Sequence, residues 1–240
     1  MSSVYDFIEE LGECYSLKEI HAVCTKFCKS INYDYFHYGA QIPVSFSKPV
    51  FVFVSGYPDP WWERYTQNNY LYEDPTVIHC ANHVTPFFWQ QMSGSRHKVI
   101  NEAREFGLHQ GISVPVHGAT GEKAIFSVAC EHQSKPSTNL FNAELGSLLI
   151  FASFVHETVR RVIILEGFEQ TPRQLTRREK ECLLWAAEGK TTWETSQILN
   201  IAESTVTFHL SNAVGKLNVA NKSQAVARAV VENLISPFSL

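Results

Sequence analysis

Two stretches near the C-terminus decide the fold of this 240-residue chain: LTRREKECLLWAAEGKT at residues 175–191 and ILNIAESTVTFHLSNAVGKL at residues 198–217. In the first stretch, Thr176 and Glu179 have the spacing of a capping box, in which two side chains satisfy the free amides at the start of a helix. Gly189 follows the apolar stripe at the position where left-handed backbone ends a helix. The first stretch therefore predicts one complete helix with both of its ends.

A second pair of helices follows at once. Thr191 or Thr192 is predicted to cap a short helix to about Leu199, and the turn at residues 200–202 leads into a third helix from Glu203 to about Leu217. A fourth helix is predicted from about Asn221 to Leu234. Two short helices joined by a tight turn are typical of a helix-turn-helix, whose second helix enters the major groove of DNA. The pattern predicts a four-helix domain of this kind.

The third helix carries a polar face opposite its apolar stripe. The side chains left to face outward are Ser204, Thr205, Thr207, His209, Ser211, Asn212 and Lys216. Ser, Thr and Asn can contact base edges, and a Lys can contact phosphate. The charge distribution points weakly the same way, since eight Lys and Arg face six Glu from Pro172 onward, against 12 basic and 18 acidic residues before it. Periodicity alone leaves a solvated helix of an adaptor bundle open as the alternative.

The rest of the chain predicts a sheet flanked by helices. Strand signatures, rich in aromatic and β-branched residues, occur at 35–40, 49–54, 112–116 and 124–130. Helical periodicity occurs at 4–11, 17–31, 60–68, 75–81, 97–106 and 142–165. The predicted fold class is α+β: an α/β/α sandwich around an antiparallel sheet at 1–165, a linker at 166–173, and the helix-turn-helix domain at 174–240.

The C-terminal residues resemble the LuxR-type DNA-binding domain. The resemblance rests on 175–191, on Ile198-Leu199, on 204–209, on Lys216-Leu217 and on Asn221-Lys222. It adds Thr191 and Lys222 to the predicted DNA contacts. The departures are Thr195 and Ser196, where an Ile-Ala pair is common, and Thr207, where many members carry Asn. Because Thr207 lies on the predicted reading face, that last departure bears on which DNA sequence is bound.

The N-terminal residues resemble the autoinducer-binding domain of quorum-sensing regulators, which sense N-acyl-homoserine lactones. The matching positions are Tyr57, Trp61, Tyr65, Asp74, Pro75, Trp89 and Gly111. The resemblance implies that Trp61 donates to the lactone ring carbonyl and that Asp74 accepts from the amide N–H. It also implies Tyr57 and Ser127 as donors to the amide carbonyl. Further implied lining residues are Tyr65, Thr76, Trp89, Ile100, Ala103, Leu108 and Gly39.

Two residues depart from the family pattern inside this predicted site. Trp62 occupies a position that is Arg in a member that recognises a 3-oxo group through water. His37 stands where relatives carry a small or apolar residue beside the acyl chain, so it is either a core histidine or a wall that shortens the tunnel. Taken singly, each Trp or Tyr also fits an ordinary core, and Asp74 fits the N-cap of a helix that begins at Pro75.

The implied protein is a ligand-responsive transcriptional regulator rather than an enzyme. Its expected partners are an acyl-homoserine lactone, a pseudo-palindromic double-stranded DNA operator, a second copy of the chain and RNA polymerase. No cofactor, metal or membrane is expected, and the cytoplasm is the expected location. His21, Cys24 and Cys28 share one helical face that could bind zinc, but a core stripe is the favoured interpretation. The alternatives are a regulator of the same type that senses another small molecule, a phosphorylation-driven regulator, and a lactone-opening enzyme.

Overall fold

The computed structural model describes residues 3–42, 50–92, 98–118, 121–131, 138–165 and 174–236. The chain divides into an N-terminal and a C-terminal compact unit. The predicted α+β class is confirmed, with an antiparallel sheet and helices in the described residues up to 165 and a group of four α-helices at 174–236. The predicted linker at 166–173 lies outside the described residues, so the domain boundaries remain a prediction.

The N-terminal unit combines six helices and five strands within the described residues. Its helices are α1 (Val4–Gly12), α2 (Leu17–Ser30), α3 (Asp59–Gln67), α4 (Pro75–Asn82), α5 (Lys98–Glu105) and α6 (Thr138–Leu165). Its strands are β1 (Tyr35–Ile42), β2 (Val50–Ser55), β3 (Phe87–Phe88), β4 (Gln110–His117) and β5 (Lys123–Cys130). The sequence did not predict β3, because two residues are too few to show an alternating pattern.

The five strands form one sheet in the order β2-β1-β5-β4-β3. The pairs β1–β5, β4–β5 and β3–β4 are antiparallel, and the predicted hairpin of β4 and β5 is confirmed. In this register His37 lies opposite Ser127, and Ser127 lies opposite Ser113. Directly opposite residues project from the same face of a sheet, so these three side chains form a row across β1, β5 and β4.

Helices cover both faces of this sheet. On one face, Phe126 of β5 contacts Phe151 of α6 at a ring-centroid distance of 5.7 Å, and Phe151 stacks on Phe27 of α2 at 3.7 Å. On the other face, the His37 ring lies 5.2 Å from the Trp62 ring of α3. Because successive side chains of a strand alternate between faces, each inner strand packs against the helices on both sides of the sheet. The predicted α/β/α sandwich is therefore confirmed.

The helical stripe of α2 is a core stripe, as the sequence analysis favoured. Cys24 and Cys28 are buried, and the ring of His21 lies 5.2 Å from that of Phe36. Among the described residues, no group of three or more His, Cys, Asp or Glu is arranged to hold a metal ion. In the same part of the chain, no helix is long and apolar enough to cross a membrane.

The C-terminal unit is a bundle of α7 (Arg177–Ala187), α8 (Thr192–Leu199), α9 (Glu203–Lys216) and α10 (Lys222–Val231). The predicted capping box is present: the Thr176 hydroxyl accepts from the Glu179 amide at 3.3 Å, and the Glu179 carboxylate accepts from the Thr176 amide at 2.7 Å. Left-handed backbone ends α7 at Gly189 (φ 79°) and α8 at Asn200 (φ 52°). The predicted four-helix arrangement is confirmed.

The core of this bundle is formed by Cys182, Leu183, Val206, Leu210, Ala213, Leu217, Ala225 and Ala229. Two family departures, Thr195 and Ser196, are also buried in α8. Their hydroxyls donate to the carbonyls of Thr191 at 2.8 Å and Trp193 at 2.7 Å, so each buried polar group has a partner within one helical turn. These departures therefore leave no unpaired hydroxyl in the core.

Candidate functional site

A buried chain of hydrogen bonds crosses the sheet face that α3 covers. The indole Nε1 of Trp89 donates to the Ser113 hydroxyl at 2.9 Å, and the Ser113 and Ser127 hydroxyls lie 2.8 Å apart. The Tyr57 hydroxyl is hydrogen-bonded to Ser127, and burial raises the pKa of this phenol. The structure thus brings Tyr57, Trp89 and Ser127 together as the sequence analysis expected. Ser113, which links them, was not predicted.

Asp74 is the centre of a second buried polar group. Its Oδ1 accepts from the Thr76 amide at 2.8 Å and from the Thr76 hydroxyl at 2.7 Å, so it caps α4. Its Oδ2 accepts from the Tyr65 hydroxyl at 3.0 Å. Burial raises the pKa of Asp74, and the hydrogen bonds from Thr76 and Tyr65 oppose that rise. Asp74 is therefore the N-cap of α4, as one interpretation of the sequence had it. Tyr65, which also donates to Asp74, is one of the predicted ligand-binding residues.

Trp61 lies in an aromatic cluster next to these polar groups. Its ring centroid lies 5.8 Å from that of Tyr65, 6.1 Å from that of Tyr70 and 5.5 Å from that of Phe106. The buried members of the cluster are Trp61, Tyr65, Tyr70, Phe87, Trp89, Val99, Ala103, Leu108 and Ala129. Of the predicted wall residues, Ala103 and Leu108 belong to it. Ile100 is buried on α5, but its neighbour Val99 is the cluster member.

Trp89 can lie where it does because residue 111 is glycine. A Cβ at Gly111 would lie 2.7 Å from the Trp89 ring and 2.7 Å from the Val128 carbonyl oxygen. Both distances are far below contact, and the second involves backbone that cannot move aside easily. Gly111 therefore sets the depth at which the Trp89 indole reaches Ser113.

The two family departures of this site contact each other. The His37 ring lies 5.2 Å from the Tyr57 ring and 5.2 Å from the Trp62 ring, and Trp62 stacks on Tyr65 at 5.7 Å. His37 Nδ1 is buried without a hydrogen-bond partner among the described residues. Burial lowers the pKa of His37 to about 4, so the imidazole is neutral near pH 7. A Cβ at Gly39 would lie 3.2 Å from His37 Nε2, so this glycine makes room for the imidazole.

The predicted reading face of α9 is accessible. Ser204, Thr207 and Ser211 are exposed, and Thr205, His209 and Asn212 are half-buried. Outside α9, Thr191 is exposed and caps α8, and Lys222 is exposed in the first turn of α10. Phe208, which the sequence analysis left unassigned, is 61% exposed on α9. Within the described part of the chain, the polar face of α9 is thus partly exposed, with Ser204, Thr207 and Ser211 its most accessible polar residues.

Lys216 has a partner that the sequence analysis did not predict. Its Nζ lies 2.8 Å from the Glu179 carboxylate, whose side chain is only 3% exposed. Burial raises the pKa of Glu179, but hydrogen bonds from Lys216 and Thr176 outweigh this and lower it overall. The phosphate contact of Lys216 stays a prediction, and its ammonium also holds α9 to the start of α7.

Comparisons with known proteins identify the families that the two parts of the chain match. Residues 16–159 match the family model described as the autoinducer binding domain, and residues 173–229 match that of bacterial regulatory proteins of the luxR family. The chain is 33% identical to the transcriptional activator AnoR of Acinetobacter nosocomialis, over 90% of this chain and 92% of that protein. It is 33% identical to the transcriptional activator LuxR of Aliivibrio fischeri, over 95% and 93%.

Among solved structures, the crystal structure of Escherichia coli SdiA matches with a TM-score of 0.76 and 25% identity, covering 97% of this chain and 98% of that one. The relatives are named as transcriptional activators and not as enzymes. Both family models, the relatives and the two-unit fold therefore agree. The chain belongs to the LuxR family of transcriptional regulators with an autoinducer-binding domain.

Proposed function

We propose that this protein binds an N-acyl-homoserine lactone in its N-terminal unit and a pseudo-palindromic DNA site, as a homodimer, through α9. The observation that carries the first part is the pair of buried polar groups around Ser127 and Asp74, bordered by the Trp61 aromatic cluster. An ordinary core rarely holds so many polar side chains together. A small molecule with few polar atoms and a hydrocarbon tail suits such a lining.

The polar atoms of the lactone headgroup correspond to the side chains available. The ring carbonyl and the amide carbonyl need donors, and the amide N–H needs an acceptor, because an unpaired buried polar atom costs about 1–3 kcal/mol. Trp61 donates to the ring carbonyl, and Asp74 accepts from the amide N–H. Tyr57 and Ser127 donate to the amide carbonyl. Trp89 packs against the lactone, held by its bond to Ser113 and by Gly111.

The acyl chain takes the apolar side of the site. Its walls are His37, Gly39, Trp62, Ile100, Ala103 and Leu108, with Tyr65 and Thr76 holding Asp74 in position. Each buried methylene contributes about 0.8 kcal/mol, so a chain that fills the available space binds more than about tenfold more tightly than one that is two carbons shorter. Chain-length preference then follows from the walls.

DNA binding uses the exposed face of α9. Ser204, Thr205, Thr207, His209, Ser211 and Asn212 face base edges, and Thr191, Lys216 and Lys222 contact the backbone. Two-fold operators mirror two-fold proteins, so a homodimer presents two α9 helices about one DNA turn apart. The names of the relatives support activation of transcription, with RNA polymerase as a further partner, in the cytoplasm where the DNA lies.

Ligand binding controls this activity by mass action. A ligand that binds only the folded state stabilises it by about 2.7 kcal/mol at a hundredfold excess over its dissociation constant. Stabilising the N-terminal unit favours the dimer that binds DNA.

The decisive experiment combines mass spectrometry of ligands extracted from the purified protein with thermal melts over a panel of lactones of increasing chain length. We expect a rise in Tm for the cognate lactone, and a much smaller rise for Trp61→Phe, which removes the indole N–H but keeps an aromatic ring. Trp193→Phe, an exposed position in the C-terminal unit, is the matched control. No shift with any lactone would contradict the proposal.

A second candidate ligand class is an acylglycerol. One SdiA structure is described as a complex with octanoyl-rac-glycerol, and it shares the fold of this chain with a TM-score of 0.71. A glycerol hydroxyl can donate to Asp74 in place of the amide N–H, and the ester carbonyl can accept from Tyr57. Including this compound in the panel separates the two classes, since the preferred ligand gives the larger shift at equal acyl length.

A further inference from the structure

His37 lies next to the groups that hold the amide carbonyl in the proposed function. It stands directly opposite Ser127 in the register of β1 and β5, so the two side chains project from the same sheet face about 5 Å apart. Its ring also packs against Tyr57, the second proposed donor to that carbonyl. An acyl chain leaving the carbonyl must therefore pass the imidazole within its first few carbons.

The imidazole has an unmet hydrogen-bonding requirement. Nδ1 is buried and unpartnered within the described part of the chain, and its surroundings are aromatic: Tyr57, Trp62 and Phe53 lie within 6.0 Å between ring centroids. Buried polar atoms in folded proteins nearly always have a partner, so an exception calls for an explanation such as a missing ligand atom. If this position only lined a hydrocarbon chain, Leu or Phe would fit better, because neither has a polar atom that needs a partner.

We propose that His37 is the specificity-determining residue for an oxygen atom at position 3 of the acyl chain, to which its unpartnered nitrogen hydrogen-bonds. This inference rests on the proposed function and names the ligand subclass. Position 3 follows from proximity, because one methylene separates that carbon from the amide carbonyl, and His37 lies directly opposite Ser127 on the neighbouring strand and packs against Tyr57, the two proposed donors to that carbonyl. Oxygens farther along the chain lie past the imidazole.

The neutral imidazole can satisfy either form of such an oxygen. It offers one N–H donor and one acceptor nitrogen, and the choice of tautomer decides which of them is at Nδ1. A 3-oxo group accepts from the N–H tautomer, and a 3-hydroxyl group donates to the other. His37 therefore selects oxygenated chains over unsubstituted ones. Trp62, which replaces the arginine of another member, supplies the aromatic wall that keeps this nitrogen away from water.

The test measures dissociation constants of the full-length protein for three lactones of equal chain length: unsubstituted, 3-oxo and 3-hydroxy. For the wild type we expect about fivefold to tenfold tighter binding of an oxygenated lactone, as one net hydrogen bond provides. In His37→Leu this ratio falls to about one, chiefly because the unsubstituted lactone gains affinity. His37→Asn, whose amide places a polar atom near that of Nδ1, keeps part of the preference.

His21→Leu is the matched control, because it makes the same chemical change on α2, against Phe36 on the other sheet face. It should leave the ratio unchanged. A wild type that prefers the unsubstituted lactone, or a His37→Leu variant with an unchanged ratio, overturns the inference while leaving lactone binding intact. Failure of all three lactones to bind the wild type overturns the proposed function, and this inference with it. Thermal melts of each variant report whether it is folded.

Discussion

The two units of this protein differ in how far apart along the chain most partners of their buried polar groups lie. In the C-terminal unit, Glu181 binds Arg177 and Arg178 within one turn of α7, and Glu179 completes the cap at Thr176. In the N-terminal unit the partners are distant in sequence: 24 positions separate Trp89 from Ser113, and 14 separate Ser113 from Ser127. One unit uses its polar groups to end helices, and the other collects them inside the fold.

The proposed function accounts for this difference by where each unit meets its proposed partner. DNA is large and charged, so a recognition surface must be outside, and α9 keeps Ser204, Thr207 and Ser211 exposed. A small lipid-like signal must be enclosed, so the polar groups that would bind it have to be buried. Buried polar groups need hydrogen-bond partners, and around Ser127 those partners come from several elements of the fold.

The largest expected effect comes from removing a buried polar group of the N-terminal unit. Asp74→Ala removes the acceptor of Tyr65 and Thr76 and the proposed acceptor of the lactone amide. We expect about a hundredfold loss of lactone affinity, because a hydrogen bond to a charged group is worth about 1.5–3 kcal/mol. Unfolding free energy should also fall by about 2 kcal/mol through the lost cap and the unpaired hydroxyl.

Isothermal titration and urea denaturation measure these two losses. Asp74→Asn keeps a capping oxygen and so separates the stability effect from the ligand effect. Asp59→Ala, at an exposed position in the first turn of α3, is the matched control. Lactone affinity that survives both Asp74 variants would remove Asp74 from the ligand site.

The next effect concerns pH and should again be confined to the N-terminal unit. Burial lowers the pKa of His37 to about 4 in the folded state, from an ordinary value of 6.5. The neutral form is therefore favoured by folding. The associated stability is present above about pH 6.5 and is lost as the pH falls toward 4, by about 3 kcal/mol at most. Burial also lowers the pKa of His156, so protonation of this second histidine at low pH also reduces the stability of the folded state.

Urea midpoints of the wild type and of His37→Leu, followed by tryptophan fluorescence between pH 7 and 4.5, measure this linkage. We expect the variant to lose less stability across that range. His21→Leu should behave as the wild type does. Identical pH profiles for wild type and His37→Leu would mean that His37 is hydrated when the protein is folded.

A smaller effect is expected from two lysine substitutions in the C-terminal unit. Lys216→Ala leaves the Glu179 carboxylate buried without its ammonium partner. We expect a loss of about 1–3 kcal/mol in unfolding free energy, discounted from the value for a fully buried pair because Lys216 is 40% exposed. Lys222→Ala, at an exposed position, should leave stability within about 0.5 kcal/mol and weaken binding to all DNA sequences alike.

Thermal melts and gel shifts over a range of salt concentrations distinguish the two lysines. If Lys216→Ala lowers DNA affinity without lowering the Tm, its role is phosphate contact and the ion pair with Glu179 is dispensable. If Lys222→Ala leaves the salt dependence of DNA binding unchanged, Lys222 does not contact the backbone.

The smallest effect is on base preference. Thr207 is exposed, and its hydroxyl donates to the Glu203 carbonyl of its own helix at 3.1 Å. Thr207→Ala should change stability by less than about 0.5 kcal/mol but alter the preferred base at one operator position by about 1 kcal/mol. Selection from a randomised duplex pool, with Ser223→Ala on α10 as control, measures this. An unchanged preference would place Thr207 outside the base contacts.

Local chemistry made the C-terminal unit predictable from the sequence. Capping side chains lie three residues from the amides they bind, and Gly189 and Asn200 end helices at their own positions. The helical period then assigns the buried face of α9. Each of these signals lies within one or two helical turns, so a single sequence contains all of it.

The candidate ligand site was only partly predictable for the opposite reason. The family resemblance named Asp74, Tyr65 and Trp89, but nothing local indicated that Ser113 would join Trp89 to Ser127. The pairing of Lys216 with Glu179 spans 37 positions and was also missed. Such contacts depend on strand register and helix packing, which periodicity does not encode.

The sequence by itself determined the family, the order of the helices and of every strand but β3, and which residue types are present for the proposed lactone and DNA binding. Only the tertiary structure decided that Asp74 is at once a helix cap and the partner of Tyr65, and that His37 faces the same side as Ser127 with a nitrogen left unpaired. The physical reason is that propensity and capping act between neighbours along the chain. Burial and pairing depend instead on every element that folds around a residue.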